Sequence, residues 1–294
     1  MIMKKSIALC LVMAVIALFS ACKKNPDGIY NPSKKIQKIY NVEDGTRILS
    51  EVWSWNGDLL ISIEDCGGIA PITTTFSYDN SNRLVSMDNV NSHSECIYDG
   101  KKIQKIVVTS YGIEVGSYEF QHKGNKISQI KINFDLGWDD LDWKKAAILN
   151  PLRFLIPEVC QTMESVLEDC PKDAKGEDIT MNLNWSGNNV KTIDVSYQGF
   201  FGTVTETVKL TYDSQNNPTY GSLAQLNTDA VANLFVNKNN PLTITTLING
   251  FTYDKQTFTY EYADNYPVKV IGEDVENPGT SYEETSVSTK IYEY

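Results

Sequence analysis

Histidine is almost missing from this chain, with only His93 and His122 among 294 residues. No Cys-x-x-Cys, His-Glu-x-x-His, Gly-x-Ser-x-Gly or Gly-x-x-x-x-Gly-Lys-Ser/Thr occurs either. Those absences remove the recognisable spacings for a zinc centre, a serine nucleophile elbow and a phosphate loop. Positive charge is short as well: 26 Lys and Arg face 37 Asp and Glu, a net charge of -11. Such a chain lacks the basic face that nucleic acid or anionic lipid headgroups require, and it disfavours acidic polysaccharide. The apolar run near the N-terminus, Ile7 to Phe19, falls short of the roughly 20 residues of a membrane-spanning helix.

That run has the anatomy of a secretory leader: Lys4-Lys5, an apolar stretch, then small Ser20-Ala21 before Cys22. Phe19-Ser20-Ala21-Cys22 resembles a bacterial lipobox, with Phe standing where Leu is usual. The resemblance implies cleavage before Cys22 and attachment of palmitate-type acyl chains through its thiol. Two or more such chains, at about 0.8 kcal/mol per buried methylene, give stable anchoring. The expected organisation is a lipoprotein signal peptide over 1–21, a lipidated polar tether over 22–33, and a single repeat-built β domain over 34–294. Losing residues 1–21 removes Lys4 and Lys5 and no acid, leaving 24 minus 37, or -13. The expected address is the outer membrane. No acidic run follows Cys22, and the side faced, periplasmic or cell-surface, stays open.

What the chain has in quantity is a repeated hairpin. Trp53-Ser54-Trp55-Asn56-Gly57-Asp58-Leu59-Leu60-Ile61-Ser62-Ile63 joins an aromatic strand to an aliphatic one through Asn-Gly, the pair a type I′ turn favours. The pattern recurs with key aromatics at Trp55, Tyr78, Tyr98, Phe120, Trp185, Tyr212 and Tyr262, and KKIQKI occurs twice, at 34–39 and 101–106. Tandem units of this kind are a stacked architecture. The aliphatics after each turn, Leu60 and Ile63 or Ile103 and Ile106, stand three apart. That spacing implies either a β-bulge or two partly covered sheet faces, and we prefer the second. The aromatic-x-Tyr-Asp-turn-Leu-x-x-Ile units resemble YD (Rhs-type) repeats, and with the leader the chain resembles a group of repeat-bearing outer-membrane lipoproteins of Gram-negative gut bacteria. The resemblance covers most of 30–294. It implies no activity and no catalytic residues.

The long gaps between aromatics hold insertions. Between Phe134 and Thr180 apolar residues recur at helical spacing, with Pro151 and Pro157 expected to break them into short helices over about 138–170. A second insertion, about 222–236, carries Leu223, Leu226, Val231, Leu234 and Phe235. Both are expected to cover a sheet face; framing a cleft against the sheet is the sharper alternative. Once Cys10 and Cys22 are set aside, Cys66, Cys96, Cys160 and Cys170 remain. The even count in an oxidising compartment favours disulfides, and the near-neighbour pairing Cys66–Cys96 with Cys160–Cys170 is the expected one.

Other candidate chemistry is sparse. Asp135, Asp139, Asp140 and Asp142 form a cluster of oxygen ligands that suits calcium, although acids there also cap a helix N-terminus. Glu64-Asp65 and Glu283-Glu284 are the acid pairs that glycoside hydrolysis would need, and His93 or His122 is the available base. Trp53, Trp55, Trp138, Trp143 and Trp185 include candidates for a sugar-stacking platform, against the plainer role of core aromatics. No cofactor and no enzymatic activity are expected.

The expected fold is therefore mainly β: a curled antiparallel meander or half barrel of repeated hairpins with two short helical insertions. A membrane porin is disfavoured, because strands of five to seven residues fall short of the roughly nine to eleven needed to span. The expected function is a lipid-anchored extracytoplasmic binding or scaffold protein for a glycan, peptide or apolar ligand. The alternative is a carrier of an apolar ligand in the concave sheet face, with glycan hydrolysis last.

Overall fold

The computed structural model describes residues 34–134, 141–169, 179–199, 202–219 and 237–294. Among the described residues, sixteen antiparallel strands follow one another around a closed barrel. They begin with β1 (Lys38–Glu43), β2 (Thr46–Asn56), β3 (Leu59–Asp65), β4 (Ile72–Tyr78), β5 (Leu84–Asp88), β6 (His93–Asp99), β7 (Lys102–Ser110) and β8 (Ile113–Lys123). β9 (Lys126–Phe134) precedes helix α1 (Leu141–Leu155), a 3-10 turn (Pro157–Val159) and helix α2 (Cys160–Asp169). The wall resumes with β10 (Ile179–Ser186), β11 (Asn189–Gly199), β12 (Gly202–Asn216), β13 (Asn239–Ile248), β14 (Phe251–Ala263), β15 (Tyr266–Glu276) and β16 (Glu284–Glu293).

The expected half barrel or open meander is corrected by the seam. β1 pairs with β16, with Lys38 opposite Glu293 and Asn41 opposite Lys290, and the Gln37 amide donates to the Glu293 carbonyl at 2.7 Å. Closure removes the two edges that a meander would leave with unpaired N–H and C=O groups. The strands are also longer than expected, from 5 residues in β5 to 15 in β12, so strand length is no argument against a membrane span.

The spacing of three between buried aliphatics has a single cause, and it is the one not preferred above. Opposite each turn the register shifts by one residue: Ser54 pairs with Ser62, but Trp55 pairs with Leu60. The same step occurs between Ser77 and Tyr78, Ile97 and Tyr98, Gln121 and His122, Asn184 and Trp185, and Thr211 and Tyr212. A bulge adds a residue to one strand, so residues i and i+3 return to one face; Leu60 and Ile63, Ile103 and Ile106, and Val190 and Ile193 are all buried. The turns beside these bulges are tight, and Gly57 and Gly187, both at φ 58°, take the left-handed conformation the turn needs.

The repeat ring has a fixed task. The Trp55 indole donates to the Ile36 carbonyl, the Tyr78 phenol to Leu60, Tyr98 to Leu84 and the His122 Nε2 to Ile103, each at 2.7 Å. Trp185 to Ile127, Tyr212 to Val190, Tyr260 to Pro241 and Tyr294 to Pro267 repeat the bond at the same distance. In each case the ladder stops two residues short of the carbonyl, as at Ser62–Thr75 and Thr192–Lys209, and the ring closes the gap. A main-chain acceptor that would otherwise be orphaned is satisfied. One expected ring position is corrected here, since His122 takes the place assigned to Phe120; Tyr262 keeps the bulge register, with the shift between Glu261 and Tyr262, while Tyr260 makes the bond. This girdle lies at the end of the barrel where the described chain enters, near Lys34, and where Tyr294 ends it.

The wall is polar outside and apolar inside. β12 turns Thr203, Thr205, Lys209 and Thr211 to solvent and buries Val208 and Leu210. Outer side chains bond to one another across strands: Gln129 to Asn182, Asn184 to Thr192 and Asp194, Thr207 to Asp194, and Lys269 to Glu261. A barrel standing in lipid needs an outward apolar band about 25 Å tall, whereas this outer face carries polar ladders with isolated apolar residues such as Ile61, Ile97 and Val287.

The helices fill part of the lumen. α1 reaches β8, where the Tyr118 hydroxyl donates to the Ile148 carbonyl, and β4, where Phe154 meets Phe76 edge-on at 5.3 Å. Arg153 pairs with Asp65 of β3 at 3.4 Å, and Thr162 of α2 lies 3.4 Å from Thr246 of β13. Leu152, Leu155, Val159, Met163 and Val166 are all buried. The expected first insertion is thus present, but it plugs a barrel instead of covering an open face, and Pro151 sits within α1 without ending it. The second expected insertion, 222–236, lies outside the described residues.

Candidate binding cavity in the barrel lumen

The helices pack against β7 and β8 and leave a cavity of about 530 Å³, lined largely by β13–β16 and β1–β4. That is the size of a small-molecule site. Its apolar lining comes from strand positions spaced by two, which face inward together: Ile39, Trp53 and Ile63 on one side, Phe258, Tyr260 and Tyr292 on the other. Helix α1 supplies Ala147, Asn150 and Phe154 as the opposing wall. At the girdle end the cavity meets Asn217, Pro218 and Asn240, which are all buried. At the far end it meets Ile72, Asp65 and Arg153, of which Ile72 is 42% exposed. The mouth therefore lies at the end opposite the girdle.

Five charged side chains line the cavity. Asp65 is held by Arg153, and Glu51 accepts the Trp53 indole N–H at 2.7 Å. Glu158 is half-buried, but desolvation of its carboxyl holds it above the ordinary carboxylate range against the opposing pull of its Asn237 hydrogen bond; its second oxygen has no partner among the described residues. Lys290 faces the cavity opposite Asn41 and Val270. The amide nitrogen of Asn150 is buried there without an acceptor.

A smaller space, about 60 Å³, is lined by Thr162, Glu206, Thr246, Asp254 and Glu276. Burial first, and then the hydrogen-bonded carboxylate of Asp274, push Asp254 up to about 8. Asp254 thus keeps its proton near neutral pH. Among the described residues no group of three or more His, Cys, Asp and Glu is placed to hold a metal ion.

The residues singled out in the sequence are dispersed by the fold. Cys66, Cys96 and Cys160 are free thiols, so the expected Cys66–Cys96 bridge is not formed: Cys96 lies in the core on β6 while Cys66 follows β3. Cys170 lies outside the described residues, as do Cys22 and three calcium candidates, Asp135, Asp139 and Asp140; Asp142 lies in the first turn of α1, where its side chain is not described. Glu64 and Asp65 are neighbours on a strand and point to opposite faces, so they do not converge. Glu283 accepts the Gly279 amide at 2.7 Å in an exposed turn. His93 pairs with Asp88 on the outer face, and His122 belongs to the girdle. Trp53 and Trp55 stack at 6.3 Å between centroids, but inside the barrel and not as an exposed platform; Trp185 is a girdle ring, Trp138 lies outside the described residues and the Trp143 side chain is not described. Sequence reasoning missed Lys290, Asn150 and Glu158. Lys290 alternates with Tyr292 on the inner face of β16, a pattern indistinguishable in sequence from an outer lysine.

No family model matches the chain, and no curated protein does. Among solved structures it is similar to a porin-like protein from Bacteroides uniformis, at a TM-score of 0.52 and 10% identity over 92% of this chain and 99% of that one. At that identity the likeness concerns the fold alone.

Proposed function

We propose that this protein is a lipid-anchored binding protein of the outer membrane whose barrel stands in water and holds a small, mostly apolar ligand in its lumen. The observation that carries the reading is the polarity of the wall: hydrogen-bonded polar ladders outside, and a 530 Å³ cavity beside aromatic and aliphatic side chains inside. A porin would reverse that arrangement, and the helices occupy the lumen a porin keeps open. Membrane attachment then falls to the acylated Cys22. Because Lys34 lies at the girdle end, an anchor there leaves the cavity mouth facing away from the bilayer. The recurrent Tyr-Asp turns support the kinship with YD-repeat lipoproteins: Asp79 accepts the Ser81 and Arg83 amides at 2.8 and 2.9 Å. The carrier reading gains over the scaffold reading because a scaffold needs no cavity.

The test has two parts. Cys22→Ala abolishes palmitate labelling and releases the protein from membranes, and the released barrel stays monodisperse without detergent. A barrel that precipitates unless detergent is present would overturn the reading. Protease shaving of intact cells assigns the side of the membrane.

A further inference from the structure

We infer that the lumen cavity selects an amphipathic anion, a hydrocarbon chain bearing a single carboxylate, with Lys290 receiving the carboxylate. This rests on the reading of the cavity as a ligand site and names its ligand class. Each other charge in the lining has a partner in the protein. Asp65 is paired with Arg153, Glu51 is held by the Trp53 indole, and Glu158 takes a hydrogen bond from Asn237 at 2.7 Å. Lys290 makes no ion pair with any described residue, although its inward register places it between Val270 and Asn41. Lys290 is exposed to the water of the open lumen, and among the described cavity-lining side chains it is the cation left available to a ligand's negative charge.

A second donor is independent of it. Asn150, on the helix across the cavity, is 5% exposed, and its amide nitrogen has no acceptor among the described residues. A buried donor left unsatisfied is costly, and a ligand oxygen would relieve it. The donor set also fixes the size of the head group. One ammonium and one amide suit a monovalent carboxylate. Arg153, the fork that would favour phosphate, stands at the far, exposed end of the cavity and gives one nitrogen to Asp65 at 3.4 Å. The rings of Trp53, Phe258 and Tyr292 and the aliphatic side chains of Ile39, Ile63 and Val270 offer the body of the ligand a dry wall, where burial is worth about 25 cal/mol per Å².

The experiment is isothermal titration of the purified mature protein with decanoate, 1-decanol and decyltrimethylammonium at one pH and ionic strength. Decanoate binds at least about tenfold more tightly than decanol, and the ammonium binds least. Lys290→Met brings decanoate down to the level of decanol and leaves decanol unchanged, while Lys290→Arg retains the preference; matched melting temperatures exclude misfolding. Equal binding of decanoate and decanol, or an unaltered preference in Lys290→Met, overturns the anion inference and leaves the apolar cavity standing. No binding of any of the three overturns both.

Discussion

Tyr98 donates its phenol proton to the main-chain carbonyl of Leu84 at 2.7 Å, while the Arg83 guanidinium lies 5.0 Å from the centre of the same ring. The same guanidinium donates to the Gly100 carbonyl at 2.7 Å, so one cation covers the ring and clamps the turn beyond it. Lys35 over Trp55 and Lys126 over Trp185 repeat the arrangement at 5.6 and 4.8 Å, each with a bond to the following glycine carbonyl. The bulge, the ring and the cation are thus one device. Tyr98→Phe removes the donor and leaves the Leu84 carbonyl unpaired, at a cost of about 1–3 kcal/mol. Urea unfolding checks it, with Tyr282→Phe, at a ring 79% exposed, as a control that changes little.

Stability should fall with rising pH because of Asp254. Its carboxyl titrates near 8 in the folded protein against 3.8 ordinarily. Between those values the unfolded chain has released its proton and the folded chain has not, so the folded state binds more protons and loses stability as pH climbs. The loss levels off above about 8. Asp254→Asn keeps a donor to Asp274 and flattens this slope, so the variant overtakes the natural protein at pH 8.5; melting temperatures between pH 5 and 8.5 show whether the curves cross.

Gly116 of β8 sits between the neighbouring strand β9 and helix α1. A Cβ at this position would sit 2.6 Å from the Asn133 carbonyl oxygen and 3.4 Å from the Ile148 side chain. The first contact is with backbone and has no rotamer to escape through. Gly116→Ala therefore costs about 1–3 kcal/mol, read as a lower denaturation midpoint.

The thiols should differ in reactivity. Burial pushes Cys96 and Cys160 up to about 12, so neither offers a thiolate at neutral pH. Cys66 is also raised, by what burial it has and by Glu64, Asp65 and Glu51, but it is half-buried on a loop and open to reagent. Iodoacetamide on the native protein modifies Cys66 ahead of Cys96 and Cys160, as peptide mass spectrometry would show. A Cys66–Cys96 bridge in the mature protein would contradict the free thiols.

The repeat could be read from the sequence because its signals are local: Asn56-Gly57, the alternating rings, and the aliphatics at fixed distance. The ring register could be read only in part. Phe120 carries the stronger aromatic signal, yet a phenyl ring has no proton to donate, and the neighbouring imidazole of His122 fills the position. Closure was not legible, because the pairing of Lys38 with Glu293 spans almost the whole domain and leaves no mark on either strand. Nor was the cavity, which arises from helices filling one half of a lumen whose existence depends on closure. Inner and outer residues alternate identically in an open sheet and a barrel.

The seam sets an order of events. Every other pairing in the wall joins strands that are neighbours in the chain, so hairpins can form in chain order. The last ladder, between β1 and β16, must wait for Glu293. Until β16 has paired, the N-terminal ribbon offers a bare edge to any other extended polypeptide. A chain interrupted before β16 would therefore produce strand-exchanged aggregates, not merely an incomplete protein.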